Sequence, residues 1–374
     1  MADAALARPR SLIRFAYSNH AHSGSAKLFL ADARALNIYM NLLVTGGCGF
    51  IGSNFIRHIL QQYSDYRVIN FDKLTYAGNP ANLKDVESYP RYGFVRGDIC
   101  DPEVVELLVS RKPDVIVHFA AESHVDKSIQ DADVFVKTNI YGTHVLLEAA
   151  RRQKVERFVY ISTDEVYGSR SDGHFKESDA LNPSNPYAAS KAAADLLVQA
   201  YAKTYGIPVV ITRSSNNFWP YQYPEKLMGL AITNLIEDKK IPIYGDGKYM
   251  RDWLYVLDNC EAIDRVVHDG RDGEIYNIGG GNERTNLEII EMILEEFAKD
   301  TSHIEYVKDR PAHDRRYALD TTKIREQLGW QPRRVFKEAL RDKIAWYRNN
   351  EDWWKPIKSG EFLDYYKKQY QNVS

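Results

Sequence analysis

The chain has 374 residues, 44% of them hydrophobic and 27% charged, with a formal net charge of -2. That length and composition support one large core or two domains, and the near-neutral balance excludes a globally basic surface for nucleic acid or anionic membrane. No apolar run approaches the roughly 20 residues that span a bilayer. The three cysteines, Cys48, Cys100 and Cys260, fit the spacing of neither a metal site nor a disulfide framework, so no metal is expected and the thiols read as reduced, in a cytoplasmic protein.

Residues 1–39 differ from the rest of the chain. They carry Arg8, Arg10, Arg14, Lys27 and Arg34 against Asp3 and Asp32. The bias weakly resembles an organelle transit peptide. The alternative is that the structured protein begins at Met40 and the leader is an upstream in-frame translation. With short apolar patches but no long periodic stretch, the leader is expected to be mobile and dispensable. From Asn41 strands and helices alternate. The pattern predicts strands at 42–44, 66–71, 93–96, 115–119, 158–162 and 209–211, with helices at 53–62, 134–152 and 187–205. Strands separated by helices argue for an α/β fold, a Rossmann-type doubly wound parallel sheet. After Ser214 the order is less regular, with helical stretches at 227–237, 287–297 and 335–348. They suggest a smaller mixed α/β C-terminal domain.

Between the first strand and the first helix lies Gly46-Gly47-Cys48-Gly49-Phe50-Ile51-Gly52. It reads as glycines at 46, 49 and 52, or as G-x-G-x-x-G at 47, 49 and 52. Glycine permits the tight turn and the close approach of backbone to a pyrophosphate at the helix N-terminus. Asp72 ends the second strand about 20 residues on, where a carboxylate accepts from ribose hydroxyls and repels a 2′-phosphate. NAD is favoured over NADP, although the neighbouring Lys73 works the other way. The expected organisation is therefore a leader at 1–39, an NAD-binding domain with the catalytic residues at 40–213, a mainly substrate-binding domain at 214–350 and a tail at 351–374.

Two further segments carry chemistry. Ser162-Thr163-Asp164-Glu165 follows an apolar run, and Tyr187-Ala188-Ala189-Ser190-Lys191 opens a helix. Tyr187 and Lys191 sit one turn apart on one helix face. An ammonium beside a phenol favours the phenolate, a base able to take a proton from a sugar hydroxyl. Side chains alternate along a strand, so Asp164 and Glu165 serve one site only at an irregular strand end. Two carboxyls in different environments divide into an acid and a base. A nicotinamide redox centre with an added acid/base pair suggests an oxidation that enables an elimination.

With these residues in place, the chain resembles the extended short-chain dehydrogenase/reductase superfamily and, within it, the dTDP-glucose 4,6-dehydratase family. The narrower resemblance runs from Met40 to about Trp346. It rests on residues 72–79, on 120–126, on Thr163-Asp164-Glu165, on 213–217, on 224–227 and on Arg251-Asp252-Trp253. It implies that Thr163 binds the sugar O4, that Tyr187, held ionised by Lys191, takes the O4 proton, that Glu165 removes the C5 proton and that Asp164 protonates the departing C6 hydroxyl. It implies a tightly held, regenerated NAD. Gly46, Gly49, Phe50, Ile51, Gly52 and Asp72 to Thr75 (Lys73, Leu74) would contact it. So would Asp98, Ile99, Phe119, Ala120, Ala121 and Glu122, together with Thr138, Tyr187, Lys191 and Asn217. Ser123, Thr163, Asn216, Glu225, Lys226 and Leu227 would contact the substrate, dTDP-glucose. Pro242, Ile243, Tyr244, Arg251, Asn286, His313 and Tyr317 would do so from the second domain. The resemblance also implies a homodimer in which the helices at 134–152 and 187–205 pair with their symmetry mates.

Read without the resemblance, Arg251 is either a bidentate phosphate clamp or an ordinary salt-bridge residue. Tyr244 either stacks on a base or fills the core. His118 and His124 lack a third partner at metal spacing and read as structural. The rival activities are an epimerase, a decarboxylase or a dehydratase of another nucleotide sugar, and an inactive NAD-binding scaffold. The Asp164-Glu165 pair speaks against the first two, and the intact Thr163, Tyr187 and Lys191 against the last. Trp219 and Gly229 depart from the family pattern, which usually has glycine and proline there.

Overall fold

The computed structural model describes residues 12–14, 29–31, 39–359 and 366. In the leader, β1 (Leu12–Arg14) and β2 (Phe29–Ala31) pair antiparallel, a ladder the sequence did not suggest. Tyr39 N donates to Asp65 O at 2.9 Å; the rest of the leader, and with it the expectation of mobility, lies outside the described residues.

The elements that build the central layer are, in chain order, β3 (Met40–Thr45), α1 (Phe50–Gln62), β4 (Tyr66–Asp72), β5 (Tyr92–Arg96), α2 (Pro102–Val109), β6 (Val115–His118), α3 (Val125–Gln130), α4 (Asp133–Phe135), α5 (Thr143–Gln153), β7 (Arg157–Thr163), α6 (Pro186–Tyr205) and β8 (Val209–Ser214). Beyond them come β9 (Asn216–Phe218), α7 (Leu227–Ile236), β10 (Ile241–Tyr244), β11 (Met250–Tyr255), α8 (Val256–Asp269), β12 (Ile275–Ile278), β13 (Glu283–Thr285), α9 (Asn286–Glu296), β14 (Ile304–Val307), α10 (Thr322–Leu328), α11 (Phe336–Asn349) and α12 (Glu351–Ile357).

Seven strands form one sheet in the order β12-β8-β7-β6-β3-β4-β5, and every pairing in it is parallel. The strands are nearly continuous apolar runs because helices cover both faces. On one face Phe55, Ile56 and Ile59 of α1 pack with Ile263, Val266 and Val267 of α8. On the other, α2, α5 and α6 contribute Val105, Leu146, Leu147, Ala194 and Val198. The chain reverses direction across the sheet between β3 and β6, and ligands of such sheets bind at the carboxyl ends beside that switch point. The glycine loop, Phe119 and Thr163 all lie at that edge.

A third core surrounds Phe218, Ile232, Trp253, Ile290 and Tyr347 and belongs to the C-terminal part. Residues 256–278 return from it to the central sheet as α8 and β12. Within the described residues of the 351–374 segment, α12 buries Trp354 completely, and Lys358 Nζ lies 2.7 Å from Glu237 Oε2.

The single helix expected over 134–152 is interrupted. Residues Val136–Gly142 form a π-helix between α4 and α5. The wide turn admits Asn139, whose side chain accepts from Glu122 N at 2.9 Å and donates to Glu122 O at 3.0 Å and Ser190 Oγ at 2.8 Å. Periodicity cannot signal such a turn, because it is set by polar contacts to other segments.

Candidate active site

The glycine loop is required by space. Gly46 has φ +70°, and a Cβ there would stand 2.5 Å from Ala120 N. A Cβ on Gly52 would meet Gly46 O at 2.4 Å. The backbone after β6 therefore fixes glycine at the start of the motif, and the close packing of α1 on the loop fixes it at the end. Gly49 opens α1 with no side-chain cap and no acidic residue in the first turn, which leaves backbone N–H groups and the positive helix end for an anion. Asp72 is buried at the end of β4, where it accepts from Cys48 N at 2.9 Å and Leu74 N at 2.8 Å. Burial raises its pKa and the two backbone N–H groups oppose the rise. The Lys73 ammonium lies 2.8 Å from Asp98 Oδ2, which offsets part of its charge beside Asp72.

One cavity runs from this loop to the end of β7. Its walls include Gly46, Gly49, Phe50, Ile51, Gly52 and Asp72, then Lys73, Thr75, Asp98, Ile99 and Phe119. Ala120, Ala121, Glu122, Thr138, Lys191 and Asn217 continue the same wall. Leu74 of the expected cofactor set does not line it. Thr163, Asp164, Glu165 and Tyr187 share the cavity with Ser123, Asn216, Glu225 and Lys226. Buried oxygens of Ser162, Asp164, Glu165, Asn216 and Asn217 have no protein partner. Unmatched buried polar atoms are costly, so their gathering on one wall, beside the glycine cradle and Asp72, fits a dinucleotide with a polar substrate next to it.

Thr163 ends β7, and its hydroxyl accepts from Glu165 N at 3.3 Å to cap a 3-10 turn, Asp164–Tyr167. Strand alternation stops there, which is how consecutive carboxyls come to face one cavity. Their environments differ. Asp164 is 3% exposed; burial and the neighbouring Glu165 carry its pKa well above the usual range, while Arg251 pulls against them. Glu165 is raised by burial but opposed by Arg310, Arg251 and Lys226. Asp164 is thus raised further than Glu165, which has more cations opposing its burial.

Tyr187 is the second residue of α6, fixed by its N–H donating to Ser128 Oγ at 3.1 Å. Here the structure corrects one expectation. Lys191 Nζ donates to Ile161 O at 2.7 Å, and Tyr187 is pushed up, not down, by burial and then by Glu165, with a smaller opposing effect of Thr163. Burial lowers Lys191 to about 7 against the pull of Asp195. Spacing alone places the lysine one turn away; it does not reveal how dry both groups are.

Leu227 and the expected substrate residues from Pro242 onward stand outside the cavity wall. Leu227 begins α7 beside it, Pro242 lies on β10, and Asn286 starts α9. Ile243 is 2% exposed in the third core, so its side chain is structural. Tyr244 Oη donates to Asp126 Oδ2 at 2.9 Å, and Arg310 donates to Asp126 Oδ1 at 2.9 Å. The Arg251 guanidinium lies 4.2 Å from the Tyr317 ring centre, and His313 stacks on Tyr249 at 3.5 Å. His118 bridges Thr45 Oγ1 and Thr143 Oγ1 at 2.7 and 3.0 Å, and His124 lies 3.3 Å from Glu225. Ser162 and Tyr76, named only within motifs, prove to line the cavity, and sequence reasoning missed Tyr221, Gln222 and Tyr223 on its wall, and Arg310. The last could have been flagged as a third cation within residues 309–317.

The family model described as GDP-mannose 4,6 dehydratase matches residues 43–343. A dTDP-glucose 4,6-dehydratase of Streptomyces niveus is 52% identical over 324 residues, covering 86% of this chain and 96% of that protein. One from Haemophilus influenzae is 51% identical over 334 residues, 83% of this chain and 98% of that protein. The crystal structure of the Bacillus anthracis dTDP-glucose 4,6-dehydratase in complex with NAD matches with a TM-score of 0.81 at 50% identity, over 86% of this chain and all (100%) of that one. A Streptomyces venezuelae dTDP-glucose 4,6-dehydratase with NAD bound gives 0.84 at 50% identity, over 85% of this chain and 100% of that one. The chain belongs to the dTDP-glucose 4,6-dehydratase family of the extended short-chain dehydrogenases/reductases.

Proposed function

We propose that this protein converts dTDP-glucose to dTDP-4-keto-6-deoxy-glucose and water, with a tightly held NAD regenerated in each turnover. The observation that carries the reading is the meeting in one cavity of Tyr187 and Lys191 with two carboxyls of unequal environment, Asp164 and Glu165. An epimerase needs only the first pair.

The glycine loop, the N-terminus of α1 and Asp72 would hold the cofactor, with Lys191 and Asn217 at its nicotinamide end. When bound there, NAD would supply a hydride acceptor for C4 and a hydride donor for C6. Thr163 hydrogen-bonds the sugar O4 and Tyr187 takes its proton; the Lys191 ammonium would favour the phenolate against the burial that raises it. The 4-ketone acidifies C5–H, and Glu165, the less raised carboxyl, removes that proton. Asp164, the more raised, gives its proton to the C6 hydroxyl, which leaves as water. Glu165 then returns a proton to C5. Ser123, Asn216, Glu225, Lys226 and Leu227 would orient the hexose. Arg251, His313, Tyr317, Asn286, Tyr244 and Pro242 would receive the nucleotide diphosphate, with Arg310 beside Tyr244 through their shared partner Asp126. The same proposal assigns residues 40–213 mainly to cofactor and chemistry and 214–350 mainly to substrate, with 256–278 returning to the sheet.

We also propose a homodimer in the cytoplasm. Val134, Val136, Tyr141 and Leu196 are 37, 52, 45 and 57% exposed and form the surface of the two helical segments expected to pair. Phe135, Leu146 and Leu147 of the same region are buried within the subunit. No helix among the described residues is long and apolar enough to cross a membrane. Incubation with a panel of nucleotide sugars tests the activity: a 4-keto-6-deoxy product from dTDP-glucose is expected, and a clean yield of dTDP-galactose would refute it.

A further inference from the structure

Tyr160 is a tyrosine in a place where its hydroxyl has nothing to do. It is 1% exposed in β7, and its Oη is buried with no hydrogen-bond partner. A buried unmatched hydroxyl costs stability, so what Tyr160 contributes comes through its ring. That ring lies on the face of β7 covered by α5 and α6, and its centre is 4.2 Å from Lys191 Nζ. The next residue, Ile161, points its side chain to the opposite core while its carbonyl accepts from the same ammonium at 2.7 Å. Two consecutive residues of one strand thus grip Lys191, one by a carbonyl and one by a π face. An ammonium within about 6 Å of an aromatic centre is attracted to the ring's negative face, most strongly when desolvated.

We propose that Tyr160 is a positioning residue that seats the Lys191 ammonium and keeps it protonated while it supports Tyr187. The inference rests on the proposed acid–base roles of Tyr187 and Lys191.

The surroundings of Lys191 leave it in need of such a seat. Asp195, one turn on in α6, is its nearest carboxylate in effect, but that carboxylate is committed to Arg213 of β8 through two hydrogen bonds of 2.9 and 3.0 Å. His118 of β6 is buried and held far below its usual pKa, so it is neutral and offers no charge to pair with the ammonium. Asp164 and Glu165, from the turn after β7, act on Tyr187. His144 and Glu148 of α5 bond Tyr201 near the far end of α6. Ser128 of α3 meets α6 only at Tyr187 N. Burial brings Lys191 down to about 7, within the working range, so a modest favourable contact decides its charge. Without the ring the ammonium loses its proton at lower pH, and the alkaline limb of activity moves down.

The test is the pH profile of dehydratase kcat for the NAD-loaded enzyme, normalised to bound NAD. Tyr160→Leu is expected to move the alkaline limb down by roughly half to one pH unit and to leave the rate on the acidic side of the limb unchanged. Tyr160→Phe keeps the ring, restores the wild-type limb, and removes the orphan hydroxyl. A merely structural role would lower kcat equally at all pH values. A Tyr160→Leu profile that superimposes on the wild type, or a Tyr160→Phe limb shifted as far as that of Tyr160→Leu, overturns the inference. Should Tyr160→Leu not fold, Tyr160→Met fills the volume without a ring and is read the same way. A wild-type protein with no turnover at any pH would refute the dehydratase reading itself, a result distinct from any of these.

Discussion

Replacing Asp164 by asparagine separates chemistry from folding at one atom. Asp164 is 3% exposed; its Oδ1 accepts from the Thr163 hydroxyl at 3.2 Å, and its Oδ2 has no partner. Asparagine has the same shape and keeps the Oδ1 acceptor, so packing is retained and only the transferable proton is lost. A positioned general acid contributes about 10²–10⁴-fold, which is about 3–5 kcal/mol in the barrier at ~1.36 kcal/mol per tenfold. Stability should move the other way. The folded-state pKa of Asp164 is raised, so its protonated form is favoured by folding. That contribution is complete below the unfolded pKa and is lost as pH rises through the folded one. A side chain that is neutral at every pH escapes that loss, so Asp164→Asn should melt higher than the wild type at alkaline pH. Rapid quench of the NAD-loaded variant with dTDP-glucose should show a 4-keto-glucose nucleotide still carrying its C6 hydroxyl, with water loss slowed at least 10²-fold. Water loss at the wild-type rate would refute Asp164 as the acid.

Glu165→Gln should leave the first oxidation intact and stop the C5 proton transfer, so NADH should accumulate on the protein after mixing with substrate, seen by its absorbance; normal turnover would remove Glu165 from the role. Gly52→Ala should abolish NAD retention on gel filtration, because the added carbon would stand 2.4 Å from Gly46 O, closer than packing allows. Asp195→Ala strands Arg213, which is 2% exposed, and should cost about 3–5 kcal/mol in denaturant unfolding. Leu196→Lys, at a side chain 57% exposed, should turn a dimer into a monomer in light scattering while leaving the secondary structure unchanged.

Much of this was legible in the chain because it is local. Glycine at 46 and 52, an acid ending the second strand, and Tyr-x-x-x-Lys on a helix are each dictated by backbone geometry within a few residues. The parallel sheet could be read from apolar runs punctuated by helices. What the sequence hid is non-local. The π-helix at Val136–Gly142 exists because Asn139 must reach Glu122 and Ser190. The return of α8 and β12 to the central sheet is invisible to periodicity, since α8 carries Asp258, Asn259 and Asp264 on buried positions. The pairing of Lys73 with Asp98, and the dryness that raises Tyr187 and lowers Lys191, depend on groups brought together by folding. The departure at Gly229 also gains a physical setting. A Cβ on Gly229 would meet Tyr347 Oη at 2.9 Å, and that hydroxyl donates to Gln222 O at 2.6 Å on the loop that lines the cavity.

The central claim is that one bound NAD takes a hydride from C4 and gives the same hydride to C6. dTDP-glucose carrying deuterium at C4, incubated with the NAD-loaded protein and analysed by NMR and mass spectrometry, tests it most directly. The account predicts a 4-keto-6-deoxy product with the deuterium at C6 and none in added free NAD. Deuterium retained at C4 of a sugar epimer, or released into free NADH, would contradict it.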